Sequence, residues 1–240
     1  MDMFSQTSFR NRLLRSLSTA DLGLLSPHLE HLLLPMSSII EEPGLCVDKA
    51  IFFESGIGST IILGADNRQS EGGHIGREGM SGRAVVLGSG VASTRILMQV
   101  PGEGFSVRAD LLREAMEASR TLRGLMNLFI SASEVQVAHT LLAATGYHIE
   151  QRLARWLLMY HDRIDGDDLP VTHGLLGMML NVRRAGVTNG IHILEGEHAI
   201  RADRGLVHVR DRAKLVAMAG GSYGIPEAEY ERLIPAIVMV

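Results

Sequence analysis

The spacing of apolar residues divides the chain into stretches of different period. Over residues 1–30, Leu13, Leu14, Leu17, Leu22, Leu24 and Leu25 recur at helical spacing. Ser18 and Thr19 are capping residues and Asp21 favours a first turn, so one or two short helices are expected there. From residue 31 to 107 the pattern becomes short apolar runs, HLLL, SSII, AIFF, TIIL, AVVL and RILMQV. Glycine-bearing segments separate them: EEPG, ESGIGS, GADN, EGGHIGREG, LGSGVAS and PGEG. Strands punctuated by turns in this way predict an antiparallel β-roll or jelly-roll of about eight strands.

Residues 108–164 return to helix. Asp110 is placed to cap LLREAMEASR, and the stretch from Leu122 to about Ala144 has no proline and only Gly124 near its start. Its apolar positions, including Leu125, Phe129, Ile130, Val137, Leu141 and Leu142, cover more than one face. One side then packs on the β-domain and the other on a second copy of the same helix. Gly146 permits a break, after which HIEQRLARWLLMYHDRI forms an amphipathic helix with Leu153, Trp156, Leu157 and Tyr160 inward. The turn residues IDGDD close it.

Residues 169–212 carry the candidate chemistry. Thr172 can cap a short helix through Leu180, with Leu175, Leu176 and Met179 on its apolar side, and Asn181 tolerates the left-handed turn that ends it. A second helix runs from near Arg183 to Glu195, which makes a helix-turn-helix. At about 100° per residue, Val187, Ile191 and Leu194 form its core stripe. Ala185, Asn189 and His192 lie opposite, flanked by Arg184 and Thr188. Arg184 and Asn189 near the leading end have the donor geometry for guanine and adenine edges, and Arg183 is placed for a phosphate. Arg201-Ala-Asp-Arg204-Gly205 has the turn chemistry of a hairpin between Ala199–Ile200 and Leu206–Val209, a wing with two more cations.

Charge and composition narrow the choice of function. Residues 172–214 hold seven Lys/Arg against four Asp/Glu, inside a chain whose net charge is −4. Hydrophobic residues make up 46% and charged residues 21%, the balance of a soluble globular chain. The longest apolar runs, such as Ala236–Val240, are too short to span a bilayer, and MDMFSQTSFRNRLLRSLS has no apolar signal-peptide core. A cytoplasmic location without a membrane partner is expected. The single cysteine, Cys46, excludes an intrachain disulfide, a four-cysteine zinc site and a cysteine-ligated iron–sulfur cluster within the chain. No metal site is expected, and no catalytic residue is assigned. His28-Leu-Glu-His31 lacks the spacing of a zinc helix, and Gly88-Ser-Gly90 lacks the third glycine of a dinucleotide loop. Asp165, Asp167 and Asp168 read as a helix-ending turn. The chain is therefore not read as an enzyme.

A glycine-punctuated β-roll, a long helix and a winged helix-turn-helix, in this order, resemble the Crp/Fnr superfamily of bacterial transcription regulators. The motifs that carry the resemblance are EEPG, FFESG, GREGMSG, the QVPG turn, EQRLARWLLMYHDRI, LPVTHGLLGMML and NVRRAGVT, spread over about residues 10–235. They look like a subfamily without an assigned effector. The resemblance implies an α+β chain in three parts. Residues 1–107 are N-terminal helices and a cyclic-nucleotide-binding-like β-roll. Residues 108–146 are a connector with the dimerisation helix, and residues 147–240 are the winged DNA-binding domain. It also implies a homodimer on a palindromic operator, with double-stranded DNA, RNA polymerase and an unidentified small-molecule effector as partners. Arg184 matches a base-contacting arginine of the family. Asn189 stands where cyclic-AMP-responsive members have another arginine, and Ala185 where they have a glutamate, so a different operator sequence is implied. Thr172, His173 and Arg183 match phosphate-contacting positions.

In the sensor half, the family's Gly-Glu-Leu segment corresponds to Gly76-Arg77-Glu78-Gly79, and the Arg-Ser or Arg-Thr that should follow is missing. A buried phosphate without its arginine is poorly compensated, so cyclic AMP is not expected. Arg77, Glu78, Ser93 and Arg95 are the candidate pocket residues. Cys46 and His74 have no diagnostic context as axial ligands, and haem is not expected. The alternative function, a cyclic-nucleotide-binding module without DNA-binding activity, leaves the facing of the second helix and the wing unexplained.

Overall fold

Asn11 anchors the first helix to the β-domain. In the computed structural model, which describes residues 6–66 and 68–234, its buried side chain accepts from the amides of Leu13 and Leu14, both at 3.1 Å. The same side chain donates to the carbonyls of Phe53 at 2.9 Å and Gly79 at 2.8 Å. Helix α1 (Arg12–Ser16) starts there, and Ser18 caps α2 (Thr19–Leu25) by accepting from the Asp21 amide at 3.0 Å.

Seven strands follow: β1 (Glu30–Leu34), β2 (Ile39–Glu41), β3 (Lys49–Phe53), β4 (Ile57–Leu63), β5 (Gln69–Ile75), β6 (Arg95–Val100) and β7 (Gly102–Arg108). They form two antiparallel sheets, β1-β7-β3 and β2-β6-β4-β5. Leu34, Ile51, Phe53, Ile75, Ile96 and Met98 fill the space within the roll. The glycine of the QVPG turn has a steric reason: a Cβ on Gly102 would lie 2.2 Å from the Ser55 carbonyl oxygen, a backbone atom that cannot move aside.

Three expectations for this region are corrected. The run AVVL is not a strand but lies in and just after the short helix α3 (Arg83–Val86), because the left-handed Gly82 before it (φ 88°) turns the chain into a helical turn. Strand β5 has no apolar run in the sequence QSEGGHI, since its pairing is set by β4 and its glycines lie under the long helix. The described roll has seven strands, in keeping with the about eight expected. Asp110 does not cap α4 (Ala109–Ala118). The cap position is Arg108, and the Asp110 carboxylate accepts from the Arg108 guanidinium and from the Leu111 amide at 3.0 Å.

Helix α5 (Arg120–Gly146) is capped by Ser119 and spans 27 residues. Leu122, Met126, Phe129 and Ile130 bury one side against α1, α2, α4 and the roll. Leu128, Leu141 and Leu142 remain exposed on the other. Helix α6 (Ile149–His161) buries not only Leu153, Trp156, Leu157 and Tyr160 but also Ala154, Arg155, Leu158 and Met159, so it is enclosed rather than one-sided. The remaining elements are β8 (Asp168–Leu169), α7 (His173–Met179), α8 (Arg184–Gly196), β9 (Ile200–Asp203), β10 (Leu206–Val209), α9 (Arg212–Ala219) and α10 (Ile225–Leu233). Strands β8, β10 and β9 make a third small antiparallel sheet.

Two packing features are not local in sequence. Ile57 and Ile61 of β4 share one core with α6, α7, α8, α9 and the hairpin. Helix α10 leaves α9 and returns to α5, placing Tyr230 and Ile234 in the core of the N-terminal helices. Among the described residues no helix is long and apolar enough to cross a membrane, and no group of three or more His, Cys, Asp or Glu could hold a metal ion. The run Ala236–Val240 lies outside the described residues.

Candidate nucleic-acid interface

The turn between α7 and α8 is built from three local choices. Thr172 Oγ1 accepts from the Leu175 amide at 3.1 Å and starts α7. Asn181 takes the left-handed conformation that ends it, with φ 51°. The Val182 amide then donates to the Gly177 carbonyl at 2.9 Å, and a Cβ on Gly177 would lie 3.1 Å from the Val182 oxygen. Arg183 is extended, and α8 begins at Arg184.

Helix α8 presents the face that its periodicity predicts. Val187, Ile191 and Leu194 are buried, and Arg184, Ala185, Asn189 and His192 are exposed. Thr188 is half-buried. Its hydroxyl donates to the Arg184 carbonyl at 3.1 Å and stands 3.2 Å from His173 Nδ1, so these two residues brace α7 against α8. Two glycines one turn apart set how closely α8 lies on α6. A Cβ on Gly186 would be 2.8 Å from Ile149 Cδ1, and one on Gly190 would be 3.1 Å from Leu153 Cδ2. Sequence reasoning passed over both glycines, although glycine pairs four apart in a helix signal a close helix contact.

The hairpin runs longer than its sequence suggests, with Arg201 inside β9 and only Arg204-Gly205 in the turn. Glu195 of α8 ties it down by accepting from the Ala202 amide at 2.8 Å. Arg201 is held by Asp203 at 3.2 Å. Arg183, Arg184 and Arg204 have no carboxylate partner among the described residues, and all three are exposed. Free guanidinium groups at the head of an exposed helix and at a wing tip can meet phosphate and base edges without first breaking an internal ion pair.

A family model of Crp-like helix-turn-helix domains matches residues 151–218, the segment from α6 through most of α9. This is the fold of a Crp/Fnr-type transcription regulator. The FixK2 structure from Bradyrhizobium japonicum superposes with a TM-score of 0.68 at 12% identity, covering 80% of this chain and 98% of that one. A crp/fnr-family protein from Eubacterium rectale gives 0.68 at 18% identity, covering 86% and 97%. The c-di-GMP responsive regulator CLP from Xanthomonas campestris gives 0.64 at 15%, covering 80% and 99%. No curated protein sequence matches this one. At these identities the likeness is one of fold.

The N-terminal half contains two adjoining cavities, of about 460 and 420 Å³. The four sequence candidates do not meet in either one. Arg77 and Glu78 line the larger, where Arg77 is engaged by Asp165 at 2.6 Å and Glu78 by Arg163 at 2.8 Å. Ser93 lines the smaller, while Arg95 lines neither and binds Glu42 through two hydrogen bonds of 2.7 and 2.6 Å. The residue that reasoning missed is Arg83, which lines both cavities together with Thr60 and Val137. Arg12, Arg77 and Arg163 of the larger cavity each have an ion-pair partner, and Arg83 has none among the described residues. Burial pulls its guanidinium below the usual arginine range, against the opposing fields of Glu134 and Glu41. Its only signal in the sequence was an arginine opening an apolar run just after GREGMSG.

Proposed function

We propose that the protein is a homodimeric, sequence-specific DNA-binding transcription regulator that reads a palindromic operator with one winged helix-turn-helix per half-site. The carrying observation is the exposed face of α8, where Arg184 and Asn189 stand free with Arg183 at the helix start. On this reading Arg184, Ala185 and Asn189 meet base edges, Thr172, Arg183, Arg201 and Arg204 meet the backbone, and His173 with Thr188 fixes the angle between the two helices. The dimer forms along α5. Its residues Leu128, Ser131, Val135, Ala138, Leu142 and Thr145 repeat alternately three and four apart and are exposed or half-exposed. That is the period of a coiled-coil seam.

The effector is a small molecule in the cavities around Arg83, and the unpaired guanidinium favours an anion. Ligation there alters how α5 sits on the roll, and through the helix pair the separation of the two α8 helices. RNA polymerase is the further partner of this reading, which places the protein in the cytoplasm.

The test is selection of binding sites from random duplex DNA by the purified protein, followed by fluorescence anisotropy on the enriched site at two salt concentrations. A palindromic consensus whose affinity falls as salt rises is expected. Selection is repeated with small anions, including cyclic nucleotides. Absence of enrichment under every condition overturns the DNA-binding reading.

A further inference from the structure

Trp156 is the only tryptophan of the chain, and it sits where α6 meets the sensor sheet. Its ring stacks on Tyr160 at 4.7 Å and 24°, and His74 of β5 stands edge-on to it at 4.9 Å. Its indole Nε1 donates to Glu71 Oε2 of β5 at 2.5 Å. The other Glu71 oxygen accepts from the Ser59 hydroxyl of β4, and His74 Nε2 lies 3.1 Å from it without the alignment to donate. Glu71, His74 and Trp156 are all buried. The buried Arg155 guanidinium nearby donates to Thr140 at 3.2 Å, and its Nε has no partner.

A buried carboxylate is an expensive way to hold two surfaces together, since an apolar pair of the same volume would usually hold them more tightly. What a carboxylate adds is direction: its oxygens accept along defined lines, so the indole can dock in one orientation. Other polar contacts cross the junction as well: Glu78 accepts from Arg163 at 2.8 Å and Asp165 from Arg77 at 2.6 Å, both involving residues that follow α6 rather than α6 itself. Gln69 and Gln99 donate to the thioether sulfurs of Met178 and Met179, soft acceptors on flexible side chains.

We propose that Glu71 is a positioning residue for DNA binding: through the Trp156 indole it sets the orientation in which the helix-turn-helix region docks on the β-roll. His74 also lines the larger sensor cavity, so the contact lies beside the place where an effector would sit. The inference rests on the DNA-binding reading above, and its first readout does not need DNA.

The test compares full-length wild type, Glu71→Gln, Trp156→Phe and the double variant. Acrylamide quenching of the single tryptophan reports docking. Anisotropy on the operator selected by wild type reports binding. In Glu71→Gln the quenching constant is expected to rise about threefold and the emission to move to the red, because a loosened junction admits solvent. Operator affinity is expected to fall about tenfold in each single variant, since an orientation no longer preset must be fixed on binding. The double variant should match the singles, the signature of one shared contact. Quenching that changes less than about twofold in Glu71→Gln overturns the proposal, as do single effects that multiply in the double. If Glu71→Gln does not fold by circular dichroism, Trp156→Phe decides alone, because it removes the N–H donor while keeping an aromatic ring, of smaller volume, against Tyr160. Unchanged affinity in that variant overturns the proposal. Should no operator be found, the DNA-binding reading fails separately, and the quenching comparison still decides whether Glu71 holds the junction.

Discussion

Arg12 binds Glu231 through two hydrogen bonds of 2.5 and 2.8 Å, joining α1 to α10 across 219 residues of sequence. The guanidinium also lies 4.7 Å over the Tyr230 ring and donates to the Ile234 carbonyl at 3.2 Å. The Tyr230 hydroxyl donates to the Glu78 carbonyl at 2.5 Å. Helix α10 is thereby fastened to α1, beside the larger cavity. Replacing Arg12 with alanine should lower stability by about 1–2 kcal/mol, most of it from the lost ring and carbonyl contacts rather than from the exposed ion pair. Chemical denaturation of Arg12→Ala and Glu231→Gln checks this, with the second expected to lose less.

Arg184 and Arg183 should separate by kind of contact. Arg184→Ala is expected to cost about 1–3 kcal/mol on the selected operator and to relax one base position, because a bidentate base contact carries sequence information. Arg183→Ala should weaken all sequences alike and reduce the salt slope by about one. Selection on each variant gives the readout. Unchanged sequence preference in Arg184→Ala would place the reading face elsewhere.

The dimer seam proposed along α5 makes its own prediction. Leu142 is 47% exposed in the isolated chain, so a charge there has little effect on the fold of one protomer. In a dimer it would put two buried carboxylates face to face. Leu142→Glu should therefore convert the dimer to monomer in light scattering, with the circular dichroism spectrum retained.

Gly102→Ala should be among the most damaging single-atom changes in the roll. Its new methyl would meet the Ser55 carbonyl and the Gly56 nitrogen, at 2.2 and 2.6 Å, and both are backbone atoms. A loss of about 3 kcal/mol or more is expected from denaturant titration.

Asp21 gives the acid limb of stability a particular shape. Burial alone would raise its pKa, but hydrogen bonds from Ser119, Thr121 and Ser18 outweigh burial and hold it below the usual carboxylate range. The unfolded chain then takes up the proton first. Asp21 accordingly stabilises the fold fully at pH values above the titration range of the unfolded carboxyl group, and that contribution is lost as pH falls through its lower native pKa. Asp21→Asn should be less stable than wild type at neutral pH, with the gap closing in acid. Thermal melts from pH 7 downwards show whether it does.

The elements whose ends and faces depend on neighbours in sequence were legible without coordinates. The caps at Ser18 and Thr172, the left-handed Asn181 and the buried stripe Val187, Ile191 and Leu194 each follow from side chains within a turn or two. The exposure of Arg184 and Asn189 follows from that stripe, because a helix buried on one side must offer the other. The sequence determined these because helical period and capping are local.

Only the tertiary structure decided the rest. QSEGGHI becomes a strand because β4 supplies its hydrogen-bond partners, and AVVL becomes helical because Gly82 turns the chain before it. Arg77, Glu78 and Arg95 are drawn to Asp165, Arg163 and Glu42, partners that lie between 53 and 88 residues away, whereas Arg83 keeps its charge free. The Glu71–Trp156 contact joins residues 85 apart, and the return of α10 to α5 spans the whole helix-turn-helix region. Which charges cancel and which face a cavity is settled by contacts remote in sequence, and no periodicity records them.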